Sequence, residues 1–357
     1  MQIHFFNPDH DIALALNQRR FATPHVGRQM RSDLGYIPAL WAEDGDVVVV
    51  EDIDAAELLY KRHKLSSRAR VEFVTTEQLE NIVSGNGGYH FAPWGWNRSI
   101  RSTFLDAKIP KMVLPSEQQL DNIRNLSNRA LAVKLLSSMK GMQGVIGISA
   151  VCNTAEEVEE ALKLHKDIVV KAPWSSSGRG VRYINIDDAP NENLWKWINN
   201  TLEKQGTIIV EKKCRKIQDF AMEFQAKADG KVVYDGLSLF TTRNGAYTGN
   251  ILLPEDEKEE YLHKYLSPTL LDTVKKQIEA FLTKEINGAY IGPLGVDMMI
   301  CSPWDDENCS AIVLNPCIEI NMRRTMGHVA LALTRKGQRG IMSIDYDGKN
   351  YRLHIRQ

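Results

Sequence analysis

Nothing in this sequence approaches the run of ~20 apolar residues that a membrane-spanning helix requires. Its first residues, MQIHFFNPDHD, have neither the basic start nor the apolar core of a signal peptide. An excess of one charge is missing too. Lys+Arg 44 against Asp+Glu 45 leave a formal charge of -1, so no global field draws the chain to nucleic acid or to an anionic membrane. The five cysteines (Cys152, Cys214, Cys301, Cys309, Cys317) are odd in number and never spaced C-x-x-C, which excludes a zinc ribbon and a disulfide framework. Cys301, Cys309 and Cys317 read as small apolar residues in or beside strands. A reducing cytoplasm is the expected setting. No repeat or low-complexity segment occurs, no G-x-G-x-x-G follows the first strand, and no triad-like nucleophile grouping stands out.

What is present is ordinary soluble-protein material, 43% hydrophobic and 25% charged, in a chain long enough for two or three domains. In residues 1–115 short apolar runs (Ile3–Phe6, Val47–Val50, Val71–Val74, Tyr89–Ala92) alternate with the helical patterns Ala55–His63 and Thr76–Val83. That alternation predicts a parallel α/β unit, and VVVV reads as a strand buried on both faces. In such sheets ligands bind beyond the carboxyl ends of strands. The first strand ends in Asn7-Pro8-Asp9-His10-Asp11 and the last in Pro93-Trp94-Gly95-Trp96-Asn97-Arg98. Asp9, His10 and Asp11 can bind a substrate amine or move a proton, or Asp can simply cap the helix before IALAL. Arg98 and Arg101 can hold a substrate carboxylate beside the two tryptophans, or be solvated on a helix from Ser99.

After the linker Ile109–Pro115, Ser116 and Gln119 form a capping box, a second helix starts at Arg129, and Thr154 opens a third. The third helix feeds an apolar strand, Ile168-Val169-Val170, that ends in Lys171 and a Ser/Gly loop, Ser175-Ser176-Ser177-Gly178-Arg179-Gly180. Bare N–H groups in such a loop gather round phosphate oxygens, and Lys171 adds a point charge. Further on, Phe240–Ile251 is a polar, Gly-rich stretch in which Arg243 and Asn250 face a transferred phosphate or acceptor, unless it is only a long hairpin loop. Ser267-Pro268 opens an amphipathic helix. Asp297 then sits in an apolar strand, and Glu319 and Asn321 lie two apart in Ile318–Asn321, on one strand face. Antiparallel pairing across the Ser302–Cys309 loop lets Asp297 meet Glu319. Two carboxylates and an amide oxygen form a hard-oxygen set that suits Mg²⁺. The tail reads as a hairpin, Met342–Tyr346 and Tyr351–Ile355, capping the final domain.

These residues resemble the ATP-grasp fold of carboxylate–amine ligases. VVKAPWSSSGRGV is similar to that family's phosphate strand and loop, and GVD…EINMR to its magnesium signature. The likeness covers roughly Ser116 to Leu333. It departs at LSNRALAVKLL, where Arg129 replaces the usual first lysine and Lys134 is the second choice; arginine keeps the charge as a fork. The resemblance implies that Lys171, Arg323 and Arg243 serve catalysis. It implies that Arg129, Lys171, Ser175, Ser176, Ser177, Gly178, Gly180, Glu211, Lys213, Cys214 and Asp219 bind ATP, the last four at the adenine hinge and ribose. Asp297, Glu319 and Asn321 would hold one or two Mg²⁺, with Mn²⁺ as the alternative ion, and Asp9, His10, Arg98, Arg243 and Asn250 would face the substrate. The expected architecture is α/β, α+β in its second half. An N-terminal parallel domain (1–115) precedes a two-lobed module of antiparallel sheets (116–205 and 206–357). The expected activity is ADP-forming ligation of a small-molecule carboxylate to an amine through an acyl phosphate, in a monomer or homo-oligomer. An ATP-grasp kinase of a hydroxyl compound and a non-catalytic nucleotide binder are the alternatives.

Overall fold

The computed structural model describes residues 1–63, 65, 68–85, 88–175, 180–188, 191–243, 246–302 and 311–356. Four parallel strands, β1 (Gln2–Phe5), β2 (Val47–Val49), β3 (Glu72–Val74) and β4 (His90–Pro93), form the first sheet in the order β3-β2-β1-β4. Parallel neighbours need crossovers, supplied by α1 (His10–Leu16), α2 (His25–Leu34), α3 (Ile53–Arg62) and α4 (Leu79–Gly85), with α5 (Arg98–Asp106) after β4. The period of two divides the valine run between two cores. Val47 and Val49 pack with Ile3, Phe5 and Phe104, and Val48 and Val50 with Phe6, Leu34 and Tyr36. This is the both-faces burial that the unbroken apolar run predicts.

Ser116 and Gln119 do form a reciprocal capping box on α6 (Glu117–Leu126), and α7 (Ala130–Ser138) follows with Arg129 at its N-cap. A second sheet, antiparallel throughout, joins β5 (Ser149–Cys152), β6 (Asp167–Lys171), β7 (Val181–Asn185) and β8 (Ile208–Lys212) in the order β5-β8-β6-β7. Its core is closed by α8 (Ala155–His165) and α9 (Glu192–Gln205), which contribute Val158, Leu162 and Ile198.

The third sheet is antiparallel and has seven strands. These are β9 (Arg215–Ala226), β10 (Val232–Arg243), β11 (Ala246–Leu252), β12 (Gly292–Ser302), β13 (Val313–Asn321), β14 (Gly340–Tyr346) and β15 (Tyr351–Arg356), ordered β13-β12-β9-β10-β11-β14-β15. Between them run α10 (Glu255–His263), α11 (Pro268–Ile286) and α12 (Met326–Arg335). Phe220, Met222 and Phe224 of β9 and Val296 and Met298 of β12 face a core shared with α7 and α11. The five buried apolar residues of α11 (Leu271, Val274, Ile278, Leu282, Ile286) together stabilise that packing by roughly 10 kcal/mol relative to exposure. Among the described residues no helix is long and apolar enough to cross a membrane.

Two expectations change. Residues 240–243 and 246–251 are not irregular; they belong to β10 and β11, paired Phe240↔Asn250 with a bulge between Thr241 and Thr242. Gly249 is there because a Cβ would lie 2.6 Å from the Met342 carbonyl oxygen on β14, so glycine marks a close strand approach and not a loop. The tail hairpin also does more than cap the last sheet. Met342 and Leu353 share a core with Leu34 and Tyr36, and Tyr351 N donates to Asp33 (2.7 Å), fastening the chain's end to its beginning.

Candidate active site

The register of β12 against β13 places Asp297 directly across from Glu319, and Gly295 across from Asn321. Counting by two along β9, Asp219 and Glu223 share that same sheet face, opposite the apolar residues of the core. Burial first, then the charge of Glu319, pushes the Asp297 carboxyl up to about 7. Asn321 Nδ2 donates to Asp297 Oδ2 (3.2 Å); turning the amide presents its oxygen instead. Two carboxylates brought together across a ladder fit a hard divalent cation, which would relieve their repulsion. Among the described residues no group of three or more His, Cys, Asp or Glu could hold a metal ion, so a cation here would rest on these two carboxylates and the Asn321 amide oxygen.

Two cations stand over this face. Arg129 is buried and its guanidinium bridges the lobes, with Nη1 to Ala172 O and Ser175 Oγ (both 2.7 Å) and Nη2 to Glu319 Oε1 (2.6 Å). Its planar fork makes three bonds at once, which a lysine at that position does not arrange in one plane. Lys134 instead reaches toward Glu285 (3.4 Å) on the outer side of α11 and stays exposed. Lys171, also buried, ends β6 between Glu211 Oε1 (2.7 Å) and Ile318 O (3.0 Å) of β13. Gly180 closes the Ser/Gly loop against Ser175: an added Cβ would sit 2.2 Å from the Ser175 Cβ. Ser176, Ser177 and Gly178 lie outside the described residues, as does Cys309. At the hinge, Lys213 N donates to Asp167 O (3.1 Å), and the half-buried Cys214 thiol is pushed up by its neighbour Cys301 and by burial. Asp219 accepts from Lys216 Nζ (2.7 Å) and Thr242 Oγ1 (2.6 Å).

The other wall comes from the first sheet. Arg323, two residues past Asn321, holds Asp11 by parallel bonds, Nε to Oδ1 (2.9 Å) and Nη2 to Oδ2 (2.8 Å). Burial opposes ionisation of Asp11, and the Arg323 charge outweighs it, so the carboxyl is held below its usual range. The next residue ties the same connection to β4: Arg324 N donates to Trp94 O (2.9 Å) and its guanidinium stacks on Trp41 (4.5 Å). His10 is buried and neutral, its pKa lowered to about 4 by burial, and its Nδ1 meets Asn97 Nδ2 (3.0 Å). Gly95 is required here, since a Cβ would lie 2.6 Å from the His10 ring. A narrow cleft of about 20 Å³, partly open to solvent, runs between these walls and is lined by His10, Asp11, Arg129, Ser175, Glu319 and Asn321 among others.

The remaining substrate-side residues sit elsewhere. Asp9 accepts from Thr23 Oγ1 (3.0 Å) and makes no side-chain cap on α1. Arg98 is engaged by Glu117 (3.0 Å), Asp121 (2.8 Å) and Asn17, and Arg101 by Pro115 O (2.7 Å) and Glu117 (3.4 Å). Both arginines therefore clamp α5 to α6. Asn250 is 1% exposed and gives its amide to Ser238 Oγ (2.7 Å) inside the sheet, away from the cleft. Arg243 ends β10; its side chain lies outside what is described.

Glu223 is a buried charge-bearing group that sequence reasoning passes over. It lies under the N-terminus of α12, accepts from Thr325 Oγ1 (2.8 Å), and faces His328 Nδ1 at 3.0 Å. Gly327 makes room for it, as a Cβ there would lie 1.9 Å from Glu223 Oε1. Burial pushes its carboxyl up to about 8, and His328 is lowered to about 3 by burial. His328 Nδ1 accepts from Thr325 N (3.2 Å), which uses its one lone pair, and Glu223 Oε2 is left without a hydrogen-bond partner. The available signal was a lone acid in the apolar run Phe220–Phe224, on the face of Asp219.

No family model matches the sequence, and no curated protein is detectably similar to it. Solved structures are similar in shape. Biotin carboxylase from Campylobacter jejuni, solved as its β,γ-ATP complex, superposes with a TM-score of 0.51 at 14% identity, over 94% of this chain and 69% of that one. A Rhizobium etli pyruvate carboxylase solved with the allosteric activator acetyl coenzyme A gives a TM-score of 0.50 at 16% identity, over 92% of this chain and 27% of that one. The chain thus has the ATP-grasp fold, with its N-terminal parallel sheet followed by the two antiparallel sheets.

Proposed function

We propose that this chain is an ATP-dependent, ADP-forming ligase that activates a small-molecule carboxylate and joins it to an amine. The observation that carries this reading is the cross-strand pair Asp297 and Glu319 lying beneath the buried cations Arg129 and Lys171. ATP would enter between the two antiparallel sheets, its base at the β8 hinge (Glu211, Lys213, Cys214) and its ribose toward Asp219. Lys171, Arg129, Ser175 and Gly180 would meet the phosphates, together with Ser176, Ser177 and Gly178. Mg²⁺ held by Asp297, Glu319 and Asn321 would neutralise phosphate oxygens when bound.

A substrate carboxylate oxygen bonds to the γ-phosphorus as the bond from that phosphorus to the ADP oxygen breaks, the electron pair leaving with ADP. The amine then bonds to the acyl carbon, phosphate leaves, and the amine gives up one proton. Arg129 and Lys171 stabilise charge on the equatorial oxygens, and Arg323 is placed to hold the carboxylate. The fold shared with biotin carboxylase supports nucleotide binding between the lobes.

The reading is tested by incubating the protein with ATP, Mg²⁺ and pooled carboxylates and amines. Substrate-dependent ADP and phosphate with a new amide support it. A phosphorylated hydroxyl product indicates a kinase, and nucleotide binding without turnover across broad pools indicates a binder.

A further inference from the structure

Asp11 lines the cleft and is paired with Arg323, and both stay partly accessible, with 26% and 18% of their side chains exposed. The other charged groups nearby are already engaged. Arg129 is bound to Ala172, Ser175 and Glu319, and Arg98 turns to Glu117 and Asp121. His10 is neutral. Among the described residues, a ligand entering here therefore meets one ion pair, Asp11 with Arg323, whose guanidinium otherwise donates only to Arg324 O (3.1 Å). A carboxylate presents the same two-oxygen edge to a guanidinium as Asp11 does, and can replace it. Asp11 is then left ionised and half-buried without a partner, which disfavours binding unless the ligand brings a cation next to its carboxylate. An α-ammonium group, one carbon away, is such a cation.

Resting on the ligase reading above, we propose that the activated substrate is a free α-amino acid, its carboxylate on Arg323 and its α-ammonium on Asp11. Asp11 is then the specificity residue. A des-amino acid takes Arg323 but strands the Asp11 charge. Phosphoryl transfer to the bound carboxylate proceeds as written above. The α-nitrogen cannot displace phosphate from its own acyl carbon without closing a strained three-membered ring, so the amine that does so is a second molecule.

The test uses the full chain loaded with Mg²⁺ and a non-hydrolysable ATP analogue, titrated calorimetrically with each common L-amino acid. The tightest binder is then compared with its des-amino acid and its α-amide. Removing either group is expected to weaken binding about tenfold or more. Asp11→Asn should bind the amino acid and its des-amino acid with similar affinity, and Asp11→Glu should restore the preference. Melting temperature and analogue affinity of each variant report folding; if Asp11→Asn does not fold, Asp11→Glu and the wild-type panel decide. The proposal is overturned if the nucleotide-loaded protein binds no amino acid, or binds the des-amino acid as tightly. If the analogue itself does not bind, the ligase reading fails first and this proposal with it.

Discussion

The two walls of the cleft are built by different means. On one side Asp297, Glu319 and Asn321 are placed by strand register, a ladder whose hydrogen bonds set which residues face each other. On the other, Asp11 reaches Arg323 across 312 positions of sequence, from a turn and a short helix on a separate sheet. Register is a local, repetitive constraint, so the first wall changes little if a distant loop changes. The second depends on how the first sheet docks, which Arg324, Trp94 and the tail hairpin hold in place. The difference teaches that the register-built wall is fixed locally, while the docked wall depends on how the first sheet sits against the rest, which on the proposed function is where selectivity would reside.

The largest test strikes the register-built wall. Glu319→Gln should lower Mg²⁺-dependent ATP turnover by about a thousandfold while circular dichroism and melting temperature stay near wild type. Glutamine keeps a side-chain oxygen for Arg129 Nη2, so the buried guanidinium retains a hydrogen-bond partner. Unchanged ADP release would remove the metal assignment. Next in size, Lys171→Ala should reduce kcat/KM for ATP about a hundredfold, the scale for losing one charge-stabilising donor. An effect confined to stability would make Lys171 only the partner of Glu211.

The third test is pH. Asp297 at about 7 and Glu223 at about 8 hold protons in the folded state that the unfolded chain releases near pH 4. Their contribution is full below pH 4 and is lost as pH rises through 7 and 8, each by at most about 5 kcal/mol. His10 at about 4 and His328 at about 3 act oppositely, losing stability as pH falls below 6.5. Asp297→Asn should flatten the alkaline side of the metal-free stability curve in denaturant titrations. Apparent Mg²⁺ affinity of the wild type should rise with pH through 7. A flat wild-type curve between pH 5 and 8 would refute the protonated acids.

The smallest test separates the docked wall from its supports. Arg98→Ala should cost about 1 kcal/mol of stability through its ion pairs with Glu117 and Asp121, read as a small drop in melting temperature. Substrate KM should not move. A large KM change would bring Arg98 back to the substrate.

Much of the fold was legible. The VVVV run, the capping box at Ser116 and the helix after Ser267-Pro268 each follow from residue spacing and backbone chemistry. So was the Asp297–Glu319 pair, because alternation and one connecting loop leave few registers. The stretch around Asn250 was misread because threonines and glycines look like loop, although Gly249 serves a close strand contact. Arg98 was ambiguous because its partners lie 19 and 23 residues on, across the α5–α6 turn.

By itself, then, the sequence determined the alternation of strands and helices, the lysine-and-glycine loop, and the acids on one strand face. These depend on periodicity and on which backbone conformations a residue tolerates. The tertiary structure alone decided that Arg129 bridges the lobes to Glu319, that Glu223 keeps a proton beneath α12, and that Asp11 faces Arg323. Those outcomes depend on burial and on charge meeting charge across hundreds of residues, and neither is set until the sheets have docked.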